Sequence, residues 1–182
     1  MIYVFLANGF EEIEALTTVD YLRRCELEVV TVGVGDNIIT GSHNISVVTD
    51  IIAQELILDE KMDMIILPGG MPGTLNLEKS QVVKKAIEYS VENNKYIAAI
   101  CAAPSILGHM GLLNGKKACC YIGFENQLFG AEVVYDSVCV SDKIITARGV
   151  GVSNEFSFKL AEILISKERS EILKKSTLFR EN

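Results

Sequence analysis

Apolar positions follow two alternating rhythms along this chain. Short, mostly apolar runs occur at Ile2 to Leu6, Glu28 to Val34, Asp63 to Leu67 and Tyr96 to Ile100. Between them lie longer stretches whose apolar residues recur at helical spacing. The short runs read as buried strands, and the longer stretches as helices that cover them. Helices are predicted from about Glu11 to Arg24, from Gln81 to Asn93, and beyond Cys101 to about Met110. A longer amphipathic one is predicted from Ser153 to Ser166, and a short charged one at the chain end. A small helical stretch is expected near Phe124 to Phe129. Ile38 to Asp50 reads as short strands about a turn at Gly41-Ser42. Val138 to Val140 and Ile144 to Ala147 flank Ser141-Asp142-Lys143 as a hairpin. Such alternation predicts an α/β fold with a mostly parallel central sheet.

Composition narrows the function classes. With 182 residues, 49% of them apolar, one domain with a substantial core is expected over 1–182. No apolar run is long enough for a membrane helix. The N-terminus reads as a first strand rather than a signal peptide, so cytoplasmic residence is the default expectation. A formal charge of −7 with scattered Lys and Arg argues against nucleic acid as a partner. The five cysteines are odd in number and form no C-x-x-C, which argues against a disulfide framework. His43 and His109 show no ligand spacing with the thiols, so no metal is expected. No cofactor is expected either, because no G-K-[ST] follows Gly69-Gly70 and Gly33-x-Gly35 lacks the rest of a dinucleotide fingerprint.

The most distinctive local pattern is a buried-looking strand that runs into Cys101, followed by small residues and Pro104. Proline suits the first turn of a helix, where its missing N–H is an orphan anyway. A strand, a nucleophile and a helix start together have the shape of a nucleophile elbow, although Ile100 and Ala102 stand where glycines are usual. Helix N–H groups near the sulfur would favour a thiolate. The other reading of Cys101 is an inert core thiol.

Ligands in open α/β sheets sit beyond the carboxyl ends of the strands. Two further loops leave such ends, Asn8 to Glu14 and Pro68 to Gly73. Glu14 lies among Ile13, Ala15 and Leu16. Turned inward, it would hold a proton and could serve as acid and base. Turned outward, it belongs to a solvated helix face, which is the expectation for Glu11 and Glu12. Gly69-Gly70 reads as a tight turn, or as bare N–H groups lining an oxyanion site. His109 reads as a surface or capping residue and His43 as part of a polar turn, so neither is placed as a base for Cys101.

Four segments occur in order: Leu6 to Ala15 (LANGFEEIEA), Leu67-Pro68-Gly69-Gly70, Ala98 to Pro104 (AAICAAP) and Thr146-Ala147-Arg148-Gly149. Together they resemble the ThiJ/PfpI superfamily, in the branch of the parkinsonism-associated protein deglycase and its bacterial ThiJ-like relatives. That resemblance implies a flavodoxin-like sandwich and a homodimer. By position it implies Cys101 as nucleophile and Glu14 as a protonated partner of its sulfur. Gly70 and Ala102 would present backbone N–H groups to the reacting oxygen. Gly69, Tyr121 and His43 fall where site-lining residues would be, Tyr121 in a segment where other members carry a histidine. The implied activity is glutathione-independent glyoxalase or protein-deglycase chemistry on methylglyoxal and related reactive aldehydes, in a stress-protective role. The alternative is a non-enzymatic redox sensor or chaperone working through oxidation of Cys101. A peptidase or amidase is a third reading, against which Ala102 counts: the protease-like branch has histidine there.

Overall fold

The computed structural model describes residues 1–180. Its elements are, in chain order, β1 (Ile2–Ala7), α1 (Glu12–Arg24), β2 (Val29–Val34), β3 (Ile38–Thr40), β4 (Ser46–Val48), β5 (Ile51–Ile52), β6 (Met64–Leu67), α2 (Gly73–Lys79), α3 (Gln81–Glu92), β7 (Tyr96–Ile100), α4 (Pro104–His109), β8 (Lys117–Ala118), β9 (Glu132–Val133), β10 (Val138–Ser141), β11 (Ile144–Ala147), α5 (Ser153–Leu164) and α6 (Lys167–Ser176). Seven strands form one sheet in the order β10-β11-β7-β6-β1-β2-β5. All neighbours in it run parallel except β10 against β11, the predicted hairpin.

Strand β1 shows why the sheet is buried on both sides. Ile2, Val4 and Leu6 point into one apolar cluster, with Ala15, Val19 and Leu22 of α1 and Phe156, Leu160 and Ala161 of α5. Tyr3, Phe5 and Ala7 point into the other, with Val83, Ala86 and Ile87 of α3 and Ile106 and Leu107 of α4. A side-chain period of two on a strand flanked by helices leaves no polar face, so the sequence there is apolar throughout. Each large side chain fully buried this way contributes about 1.5–3 kcal/mol. The result is the flavodoxin-like α/β arrangement expected.

Some elements went unread in the sequence. Helix α2 follows Met71-Pro72-Gly73, whose breakers hide a helix of only seven residues. Strands β5, β8 and β9 have two residues each, too few to show a period. No helix among the described residues is long and apolar enough to cross a membrane.

From β1 the chain moves to β2 on one side and later returns to β6 on the other. Strand order therefore reverses between β1 and β6, which is where open α/β sheets open a crevice for ligands. The loops leaving β1, β6 and β7 all meet beside it.

Candidate active site

Cys101 stands directly after β7 with φ +65°. A side chain other than glycine is uncommon in this left-handed region and persists only where its surroundings fix it. Here both backbone groups are tied. Its N–H donates to the Ala147 carbonyl at 2.9 Å, and its carbonyl accepts from the Tyr121 N–H at 2.8 Å. Pro104 occupies the first position of α4, as its missing N–H allows. The bend leaves the thiol half-buried, whereas Cys25, Cys119, Cys120 and Cys139 are buried; all five are free.

Glu14 sits in the first turn of α1 and is 1% exposed. Its Oε2 accepts the Gly69 N–H at 2.8 Å. Its Oε1 is buried and takes no N–H or O–H partner. The carboxyl lies within hydrogen-bonding reach of the Cys101 thiol. Burial raises the carboxyl to about 7, with the Glu11 charge adding to the rise, while contacts with Cys101 and the Gly69 N–H oppose it. A protonated carboxyl could donate a hydrogen bond to the sulfur, which a carboxylate cannot.

The elbow alone predicted a thiolate at neutral pH, and here the structure departs from the expectation. Burial pushes the Cys101 thiol up, and so do the charge and hydrogen bond of Glu14; the N–H groups of Ala102 and Gly70 pull it down without overcoming them. Two negative charges in contact repel strongly, so the pair carries one between them. A thiolate at Cys101 therefore requires that Glu14 hold the proton, which makes the sulfur's reactivity a property of both residues.

Gly69, Gly70 and Ala102 all meet the pair. A Cβ on Gly69 would lie 2.6 Å from the Cys101 Cβ, 2.7 Å from Glu14 Oε2 and 3.1 Å from the sulfur, so only glycine lets the two side chains meet. Gly70 has φ +89°, and its N–H is turned to the sulfur. Tyr121 is also brought in: a Cβ on Gly149 would lie 3.1 Å from its ring and 3.8 Å from the Cys101 sulfur. Gly149 belongs to a segment singled out in the sequence, but nothing there gave it a place against the thiol.

One expectation is corrected by the turn between β3 and β4. Glu12 was expected on a solvated face, and it is 4% exposed. The turn folds over the start of α1, where Ser42 N–H donates to the Phe10 carbonyl at 2.8 Å. Glu12 then accepts the His43 N–H at 2.7 Å and pairs with His43 Nδ1 at 2.9 Å. Glu11 caps the helix by accepting the Glu14 N–H at 2.7 Å. His43 is thus bound to Glu12 and Ser42, and no hydrogen bond joins it to Cys101. Glu11, Glu12 and His43 have ligand atoms within 4.8 Å of one another and could together hold a metal ion; here the imidazole is already engaged by Glu12. His109 pairs with Glu78 on the surface.

A model of the DJ-1/PfpI family matches residues 1–163. Protein DJ-1 homolog B of Arabidopsis thaliana is 36% identical over 91% of this chain, which spans 38% of that protein's length. Glutathione-independent glyoxalase DJR-1.2 of Caenorhabditis elegans is 31% identical over 91% of this chain and 88% of its own. Among solved structures, oxidized Toxoplasma gondii DJ-1 superposes with a TM-score of 0.94 at 36% identity, covering 99% of this chain and 98% of that one.

Proposed function

Because the chain belongs to the DJ-1/PfpI family, we propose that it is a cysteine-dependent, glutathione-independent glyoxalase acting on methylglyoxal or related small reactive aldehydes. The observation that carries this reading is the buried Glu14 carboxyl, raised to about 7, set against the Cys101 thiol. A relative named as a glutathione-independent glyoxalase supports it.

The steps follow from the residues. With the proton on Glu14, the Cys101 sulfur adds to the aldehyde carbon. A C–S bond forms and the carbonyl π pair moves to oxygen, which takes the Glu14 proton to give a hemithioacetal. The Glu14 carboxylate then removes the hydrogen from that carbon and returns it to the neighbouring carbon through an enediol, leaving a thioester. Water hydrolyses the thioester, releasing lactate and restoring the thiol. The overall change is methylglyoxal plus water to lactate, with no external oxidant or reductant. Gly70 and Ala102 N–H groups, which already face the sulfur, would steady the developing oxygen charge.

The test is methylglyoxal loss with stoichiometric lactate, without glutathione. Cys101→Ser is expected to abolish turnover, and Glu14→Gln to lower kcat by about 10²–10⁴-fold, the usual worth of acid–base catalysis. A Cys101→Ser protein with full activity would remove the mechanism.

A second reading rests on the same half-buried thiol. The N–H donors that face the sulfur would also stabilise an oxidised sulfinate, and one structural relative is described as oxidized. Negligible turnover together with an oxidation-dependent binding partner would favour a redox sensor or chaperone over the enzyme. The family reading also includes a homodimer. Exposed Ile13, Ile45 and Val48, near the Glu12–His43 contact in sequence, are candidates for its interface. Light scattering on the purified chain decides between one and two copies.

A further inference from the structure

We propose that the cavity beside Cys101 is a carboxylate-recognising subsite, in which Arg148 selects carbonyl substrates that carry a carboxylate on a short apolar spacer. The proposal rests on the reading of Cys101 as a nucleophile toward carbonyl carbon.

The cavity has a volume of about 310 Å³ and is lined by Tyr121, Ile122, Arg148, Val150 and Val152 around Gly149. That lies at the lower end of what small-molecule pockets occupy. Cys101 is not part of its lining, but the wall formed by Gly149 and Tyr121 separates it from the sulfur by little more than one side-chain contact. The Cβ position of Gly149 is 3.8 Å from Cys101 Sγ and 3.1 Å from the Tyr121 ring, so the glycine and ring that line the cavity also touch the thiol's surroundings. A ligand that rests in it and extends past Gly149 would bring its carbonyl to the sulfur.

Charge says what kind of ligand. Arg148 is the charged residue in the lining. Arg23, Arg24, Arg169 and Arg180 each face a carboxylate, Asp50, Asp20, Glu26 and Glu155 respectively. Among the described residues Arg148 has no such partner; its guanidinium lies 5.7 Å from the centre of the Tyr135 ring. The chain carries 24 acidic against 17 basic residues, so acids to pair with it are not scarce. An unpaired guanidinium at the rim of an apolar cavity suits a planar carboxylate, which it can grip with two parallel hydrogen bonds. The side chains of Tyr121, Ile122, Val150 and Val152 suit an alkyl or aryl spacer between that carboxylate and the carbonyl. Methylglyoxal has neither group and would use only the innermost part of the site.

The experiment compares 4-carboxyphenylglyoxal with phenylglyoxal. The ratio of their kcat/KM values is expected to favour the carboxylated compound by about tenfold or more, the worth of one charge-assisted contact. Arg148→Met is expected to erase that ratio through KM, and Arg148→Lys to restore part of it. A separate binding arm titrates 4-carboxybenzaldehyde into the Cys101→Ser protein and follows the Tyr121 and Val150 amide signals by NMR. Saturable shifts that vanish with Arg148→Met support the subsite even if no aldehyde is turned over, an outcome that would sink the glyoxalase reading alone. Turnover with no carboxylate preference, or shifts that survive Arg148→Met, would overturn the subsite and leave that reading standing.

Discussion

Glu14 and Cys101 meet across Gly69, whose N–H holds the carboxylate at 2.8 Å and whose missing side chain leaves the room between them. Gly69→Ala would place a methyl group 2.6 Å from the Cys101 Cβ and 2.7 Å from Glu14 Oε2. Neither neighbour can step aside cheaply, since one is fixed by a strained bend and the other by a helix turn. The expected cost is about 1–3 kcal/mol of stability, as for other overpacked interiors. Urea denaturation and the rate of iodoacetamide labelling at Cys101 check it; an alanine variant matching the parent in both would show a looser site than the geometry implies.

The Glu14 proton makes stability depend on pH. The carboxyl is raised from 4.5 to about 7 in the folded chain. Below 4.5 both folded and unfolded states hold the proton and the group is neutral in the balance. As pH rises from 4.5 through 7, the unfolded chain releases its proton first, so stability falls, by at most about 3 kcal/mol at 1.36 kcal/mol per unit. Glu14→Gln removes this slope. The variant is expected to gain about 1–3 kcal/mol over the parent at pH 8 and nothing at pH 4.5. Denaturant titrations at the two pH values measure the difference, and equal gains at both would place the slope elsewhere.

The sheet and the elbow were legible because each rests on local pattern. Ile2 to Leu6 is apolar at every position because both faces of β1 are covered, and Pro104 marks the start of α4. The Glu14–Cys101 contact depends on β1, β6 and β7 lying side by side. Spacing gave an inward Glu14 as one of two readings, and the family segments were needed to choose it. Glu12 was misread for the complementary reason. Its neighbours in sequence are polar or exposed, and its burial comes from a turn some thirty residues away. The elbow read alone shows the N–H donors that favour an ionised sulfur, whereas the burial and the carboxyl charge that oppose it come from residues far away in the chain.

Thr146 ties the Tyr121 loop to the sheet. Its hydroxyl oxygen accepts the Cys119 N–H at 3.0 Å, and the residue is 1% exposed. Thr146→Val keeps the shape and removes the acceptor, leaving a buried N–H unpaired at a cost of about 1–3 kcal/mol. Two residues on, Tyr121 would lose part of its anchor, so KM for aldehyde should rise more than kcat falls. Thermal unfolding and steady-state kinetics report the two effects independently. A stable variant with unchanged KM would show that the Cys101 carbonyl alone suffices to hold Tyr121.

The Glu12–His43 contact should give stability a second pH dependence, separable from that of Glu14. Burial alone would raise the Glu12 carboxyl, but the His43 ring and backbone N–H outweigh it and hold it below its ordinary value. The hydrogen bond and charge of Glu12 raise the His43 ring above its own. The carboxylate's contribution is present above its ordinary value of 4.5 and is lost as pH falls through the lowered one. The ring's contribution is present below its ordinary value of 6.5 and is lost as pH rises through the raised one. The pair therefore stabilises most between about pH 4.5 and 6.5, where both charges are present in the two states. His43→Ala should flatten the loss above pH 6.5 and leave the Glu14 slope at lower pH in place. Glu12→Ala, which also removes the acceptor of the His43 N–H, should lower stability at pH 6. Melting temperatures of the two variants from pH 4 to 9 resolve the windows, and a His43→Ala curve parallel to the parent's above pH 6.5 would show that the ring carries no charge of consequence to folding.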